Sequence, residues 1–456
     1  MSRSIARKEV VAWAALCAAY VAARLWSYAH VFGHRPPLQP DSFDYLRGAA
    51  LSLTDSRFWT FSKPWALPLL YKLLPGSTQV AIAVQFAIAT VAWIVLAVTL
   101  ARVLHRRVPR LLALCAVLLF ALTPLVAQWD GQLLTESLSN SLTALLVAAA
   151  IVFVRSPGRL RLLLVVAAAF GATMTRDTNG YLALLVLVPL GLAIVRRGRP
   201  GLGAGLAVAA VLIFALQTWS YDVRRWHGPM QDVIAQRVLP VPGALRYFRD
   251  RGMPVRPGLG AALIANRVPP TKFDNAPRLA YFRPWFEDHA RQTYLGYLLT
   301  HPGVSVGKPV RRLDILLAPS RPPPYGLDYF RRKGYRDPLP GLLIRAFYPQ
   351  QGWAVLAAMI AALLLAAGFW RARLAEAVWL VPALLLLAAV PLAIIVYNGD
   401  AIGIDRHSLL VGVTARLGVI MLGAMLLDAV SLAADQTRSR ATKWNRLSKK
   451  RFAGTG

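Results

Sequence analysis

Residues 78–101 read TQVAIAVQFAIATVAWIVLAVTLA, 24 consecutive residues without a charge. A helix needs ~20 apolar residues to cross the ~30 Å hydrocarbon core of a bilayer, so this stretch reads as a transmembrane span. Working outward, comparable runs lie at about 10–26, 111–128, 133–154, 162–175, 180–195, 201–219, 352–370, 375–397 and 408–429. The expected fold is therefore an all-α polytopic membrane protein with about ten transmembrane helices. Composition agrees: 56% of the 456 residues are hydrophobic and 16% charged, which excludes two or three soluble domains. The first run reads as a retained anchor rather than a cleaved signal, because Trp26-Ser27-Tyr28-Ala29-His30 has no small-x-small site and Glu9 stands at its start. Cys17 and Cys115 both sit inside apolar runs and build no disulfide framework, redox pair or zinc cage.

Charge sets the expected orientation. The chain carries a net charge of +31, which points to anionic lipid or other phosphate-bearing partners rather than to nucleic acid in a polytopic protein. Twenty-two Lys and Arg residues fall before span 1, in alternate short loops and in the tail, whereas the opposite short loops carry only Arg176 and Arg406. By the positive-inside rule both termini are cytoplasmic. Residues 27–77 and 220–351 then face outward, and the second is long enough for a small extracytoplasmic domain. Its 21 basic and 9 acidic residues do not oppose this orientation, because long segments translocate largely regardless of charge. Pro-rich stretches such as Arg321-Pro322-Pro323-Pro324-Tyr325 argue there for irregular packing rather than a sheet. The expected organisation is an N-terminal transmembrane module (1–219), the outer domain (220–351), a three-helix module (352–429) and a basic cytoplasmic tail (430–456), disordered from Gln436 onward.

Chemistry gathers on the outer side. The short cytoplasmic loops offer no phosphate-cradling glycine loop or carboxylate cluster, which disfavours nucleotide-driven reactions there. Outward-facing acids are Asp41, Asp44, Asp130, Glu136, Asp177, Asp400 and Asp405. The stretch Gln39-Pro40-Asp41-Ser42-Phe43-Asp44-Tyr45-Leu46-Arg47 opens the first outer loop, and Phe43, Leu46, Ala50 and Leu53 recur at helical spacing. It reads as an amphipathic interfacial helix, capped by Asp41 or Ser42, with a second interfacial helix at 67–74 after Lys63-Pro64. Two readings of Asp41 stand at this point: a helix cap, or a reactive carboxylate.

The outer loop with its Asp motif and two interfacial helices, the further spans, and the large outer segment after span 7 together resemble the GT-C superfamily of membrane glycosyltransferases. Pro40-Asp41-Ser42 with Tyr45 is the closest motif. Thr135-Glu136-Ser137-Leu138, Thr175-Arg176-Asp177, His301-Pro302 and Asp405-Arg406-His407 are shorter partial matches. The resemblance implies transfer of a sugar from a polyprenyl-phosphate carrier to a hydroxyl of a glycan, lipid or protein on the outer face, with inversion and with Asp41 as general base.

Such a reaction needs a carboxylate for the acceptor's proton and cations for the departing phosphate. The candidate cations are Lys63, Lys308, Arg311, Arg312, Arg406 and His407; each also reads as part of a solvated basic surface. Asp44 and Tyr45 sit on the motif helix, Glu136 with Asn140 forms a pocket wall, and Arg176 and Asp177 line a recess. Arg416 lies inside span 10, where an Arg is functional by default, and holds either the carrier phosphate or a carboxylate such as Glu136 or Asp177. No cofactor is expected; Asp41 and Asp44, at i and i+3, leave a divalent cation open. His30, His34, His227 and His289 show no ligand spacing. The alternatives are a lipid-linked-sugar flippase or transporter, disfavoured by spans built almost uniformly of Ala, Leu and Val, and an assembly scaffold, which leaves the Asp-bearing loop without a purpose. The Ala, Leu and Arg bias points to a GC-rich, actinobacterial genome, an inner membrane, cell-wall biogenesis and arabinose or mannose as donor sugar.

Overall fold

The computed structural model describes residues 3–29, 38–61, 63–74, 77–222, 225–266, 270–318, 335–349, 351–371 and 376–453, and among them every regular element is helical. The Arg321–Tyr325 stretch, His30 and His34 lie outside the described residues. Among the described residues eight helices are long and apolar enough to cross a membrane: Lys8–Tyr28, Thr78–Val103, Thr135–Arg155, Asp177–Arg196, Pro200–Ser220, Gly352–Arg371, Ala377–Gly399 and Ile404–Thr437. The chain is a membrane-embedded helical bundle.

The expectation of ten spans comes down to eight, or to nine where a bent pair counts as one broken span. The run expected at 111–128 is a bent pair, Arg107–Ala121 and Pro124–Gly131, with a 57° break. Pro124 has no N–H to continue the first helix and drives Thr123 into extended geometry, φ −62° and ψ 143°. The run expected at 162–175 is the 15-residue helix Arg159–Thr173, ~22 Å long at 1.5 Å per residue and short of the hydrocarbon thickness.

The bundle has two distinct ends. At one, Arg110 pairs with Glu9 at 3.2 Å and His105 with Asp428 at 2.9 Å, so the first helix begins where the last helix leaves the bundle. The first loop, the outer domain and residues 400–408 gather at the other. Between the ends, glycine sets the closest approach: a Cβ on Gly203 would fall on the carbonyl of Gly191, which lets Asp177–Arg196 and Pro200–Asp222 pack backbone to backbone.

The last helix runs from Leu409 to Ala453, 45 residues, where disorder was expected from Gln436 onward. No Pro or Gly interrupts residues 424–453, and Arg, Lys, Ala and Leu are good helix formers. The transmembrane turn bears the cost of nucleation, and propagation follows.

The outer segment contributes to two cores. Trp226, Phe248, Phe273, Phe282 and Phe286 form a separate aromatic core. Leu313, Leu316, Leu317, Leu339 and Tyr348 belong instead to the core of the bundle. The described residues between 226 and 297 thus form a domain with its own core, called the outer domain after its expected side, and residues 313–318 and 335–348 return as an arm laid against the membrane helices.

Candidate functional site

The site is built from the first loop upward. The helix Pro40–Ala50 begins with Gln39 as N-cap and Pro40 in its first turn. The Gln39 backbone N–H donates to Ser42 Oγ at 3.0 Å, and Ser42 Oγ donates in turn to the carbonyl of Leu133 at 3.0 Å. The N-cap is Gln39, Ser42 takes part as the third-residue partner of the capping box, and the expectation for Asp41 is corrected: its carboxylate is left for other partners. Tyr45 Oη lies 3.4 Å from Thr135 Oγ1 and fixes the helix against the Thr135–Arg155 span. Phe43 remains 52% exposed on the opposite face, as an interfacial helix requires. The second interfacial helix is Ala66–Leu73, and a short turn of helix, Ser56–Trp59, lies between.

Around Asp41 the charges alternate in sign. Lys63 Nζ donates to Asp41 Oδ1 at 2.9 Å and lies 4.0 Å from Asp44 Oδ2, so an ammonium occupies the notch where a divalent cation was left open. Arg406 donates through Nη1 to Asp41 Oδ2 and through Nε to Glu136 Oε1. Arg176 Nη1 donates to the same Glu136 oxygen at 3.4 Å. Arg176 Nη2 donates to His407 Nδ1 at 3.3 Å, which leaves Nε2 to donate to Asp400 Oδ2 at 3.2 Å. Gly403, at φ +66°, makes the left-handed turn that presents the short helix Ile404–His407 to this cluster. Asp44 is also held by Arg47.

Exposure falls along the chain of charges. The side chains of Lys63 and Asp41 keep 25% and 21% of their surface, and Glu136 keeps none. The network is open to a ligand at Asp41 and closed at Glu136, whose Oε2 has no hydrogen-bond partner. Burial opposes the ionised form of Asp41, yet Lys63 and Arg406 outweigh it and hold its carboxyl well below the usual carboxylate range. Burial likewise opposes the Lys63 ammonium, and Asp41 outweighs it, raising Lys63 above the usual lysine value. For Asp44 burial wins over Lys63 and Arg47 and pushes its carboxyl up.

Asp41, Asp44, Tyr45, Lys63, Glu136, Arg176, Arg406 and His407 thus meet at one end of the bundle. Asp177 does not join them. It accepts from Gln217 at 3.0 Å and from Arg225 at 3.1 Å, while Arg225 Nε donates to the carbonyl of Phe61 at 2.9 Å, a joint between outer domain and first loop. Lys308, Arg311 and Arg312 are exposed and enter no ion pair among the described residues. Arg416 is also corrected: it donates to the carbonyls of Leu317, of Gly412 at 3.1 Å and of Pro349 at 2.6 Å, and lies 3.7 Å from the centre of the Tyr348 ring. It ties the return arm to the last helix and meets neither Glu136 nor Asp177.

Sequence reasoning missed Arg24, the single charge inside the expected 10–26 span. It is fully buried, pairs with Asp130, donates to Tyr20 Oη at 2.7 Å and faces the Phe86 ring at 4.9 Å; Ser137 also donates to Asp130. The same signal that singled out Arg416, a charge within an apolar run, marks it. Asp400 and Arg225 had no such signal, because each acts only through a partner remote in sequence. Among the described residues no group of three or more His, Cys, Asp or Glu is arranged to hold a metal ion. No family model matches the chain, and no curated protein matches it.

Proposed function

We propose that this membrane-embedded bundle is a glycosyltransferase of GT-C type that moves a sugar from a polyprenyl-phosphate carrier to a hydroxyl acceptor. The observation that carries the reading is Asp41, a carboxylate on an interfacial helix, gripped by two cations whose geometry suits a phosphate as well as it suits a carboxylate. With both oxygens engaged, Asp41 is a poor base at rest. A carrier phosphate drawing Lys63 and Arg406 toward itself restores the basicity of Asp41, so the base is armed when the donor is seated.

In the transfer step Asp41 takes the acceptor's hydroxyl proton. The acceptor oxygen forms its bond to C1 of the sugar as the C1–O bond to phosphate breaks, with inversion at C1. The phosphate leaves with the electron pair, and its added negative charge develops against Lys63 and Arg406. Glu136 and Arg176 hold Arg406 in place.

The test offers the purified protein several polyprenyl-phosphate sugars with a hydroxyl acceptor and follows release of polyprenyl phosphate. Turnover with at least one is expected, and none with any removes the reading. A flippase remains the second reading because of the ion pair of Arg24 and Asp130 inside the bundle, unlike the apolar spans the sequence led us to expect. Lipid movement without cleavage in the same assay decides for it.

A further inference from the structure

A cavity of about 860 Å³ lies where the outer domain meets the bundle. Its floor includes Tyr181 and the Asn398–Gly399 end of a membrane helix, and one wall is the helix Arg283–Thr300. Tyr294 Oη donates to the carbonyl of Asn398 at 2.9 Å, and Asn398 Nδ2 donates to that of Ser305 at 2.8 Å, which fixes wall to floor. The cavity adjoins the charged network through the chain itself: Gly399 precedes Asp400, the partner of His407.

Along the wall the lining changes character. Glu287, Asp288, Arg291 and Gln292 line its first turns, and Leu295 and Leu298 line the next, on one helix face by i, i+3 and i+4 spacing. Tyr294, within the apolar part, is the residue bonded to the bundle. Leu295 is 59% exposed. Two carboxylates against one guanidinium, with His227 already paired to Glu287 at 3.1 Å, make a poor host for a phosphate. Carboxylate, amide and aromatic groups together suit neutral hydroxyls and the apolar faces of a sugar ring. The lip of leucines suits an alkyl chain.

We infer that this cavity binds the acceptor, and that the acceptor is the saccharide headgroup of a membrane glycolipid. The inference rests on the glycosyltransferase reading and adds the substrate class: the phosphate-bearing donor seats at Lys63 and Arg406, and the uncharged saccharide seats here with its chain against Leu295.

Saturation-transfer NMR on the full chain in lipid nanodiscs tests it, using methyl glycosides of arabinose, mannose and glucose and the hexyl glycosides of the same sugars. Transfer to ring protons is expected for at least one methyl glycoside, with about tenfold weaker binding in Asp288→Ala and Gln292→Ala. Both residues are exposed on a helix that accepts Ala, so the variants retain the fold. The hexyl glycoside binds more tightly than the methyl one, and Leu295→Ser removes that gain. No transfer to any glycoside, or equal affinity in the Asp288 and Gln292 variants, overturns the saccharide site; a hexyl gain that survives Leu295→Ser overturns the lipid. Saccharide binding is expected to persist in Asp41→Asn. If cavity binding holds while Asp41→Asn still transfers sugar, the catalytic reading fails and the cavity stands. If transfer depends on Asp41 while the cavity variants bind as wild type, the cavity inference fails alone.

Discussion

The two ends of the bundle carry the same residue types and use them differently. At the end shared by the first and last helices, Asp428 accepts from the backbone N–H groups of His105 at 2.9 Å and Arg106 at 2.8 Å as well as from the His105 ring, whose Nε2 lies 3.2 Å from Glu376. Asp428 thereby caps the helix that starts at Arg107, and backbone donors cannot be drawn away by a ligand. At the other end the partners of Asp41 are two side-chain cations, each shared with a second carboxylate. One cluster is a clasp and the other is exchangeable. Whether a carboxylate's partners are backbone or side chain separates structure from site here more sharply than charge or burial does.

The largest expected effect breaks or confirms that contrast at its centre. Asp41→Asn should lower turnover by ~10² to 10⁴, the usual contribution of a general base, while carrier-lipid binding persists. Release of polyprenyl phosphate measures it, with Asp44→Asn as the milder control. Wild-type rates in both variants would sink the exchangeable-partner reading.

Next in size is the load on Arg406. Arg406→Gln leaves the buried Glu136 with Arg176 alone, at 3.4 Å, and should cost ~1 to 3 kcal/mol of stability, the usual loss when a hydrogen bond to a charged group goes. Adding Glu136→Gln should recover much of the loss. Thermal unfolding of the single and double variants reads this, and a single variant as stable as wild type shows that the network carries no structural weight.

Asp428→Asn, at the clasp, should cost ~1 to 2 kcal/mol and leave turnover untouched. A drop in turnover at full stability reverses the assignment of the two ends.

The smallest effect is in pH. Because the Asp41 carboxyl is held down in the folded protein, its contribution is fully present above the unfolded value of ~4 and is lost as pH falls below that toward the depressed folded value. Asp44, pushed up by burial, contributes with the opposite sign and loses its share as pH rises through its raised value. Unfolding midpoints from pH 7 to 3 should fall more steeply in wild type than in Asp41→Asn. Parallel curves remove the electrostatic account of Asp41.

Much of the site was legible because its residues stand out against an apolar background. Asp41 on a Pro-initiated helix, Lys63 in the same loop, and Arg176 and Arg406 as single Arg residues in otherwise non-basic short loops are rare events in such a chain. Lys308 and Arg311 carried the same charge signal in a segment already rich in basic residues, where position and not type decides, and they fall outside the network. The Arg416 signal was right about cost and wrong about partner: three carbonyls and a tyrosine ring satisfy it.

What the sequence determined by itself is the class of molecule, most of its spans and the gathering of acids and cations in particular loops, since apolar length and charge are one-dimensional quantities that the bilayer reads directly. What only the tertiary structure decided is pairing. That Arg406 stands between Asp41 and Glu136, that Asp177 turns to Arg225, and that Leu313, Leu316, Leu317, Leu339 and Tyr348 return to the bundle core all depend on which helices pack together. The energy of a buried charge is set by the few groups within a few ångströms of it, and here those groups lie up to 365 residues away along the chain.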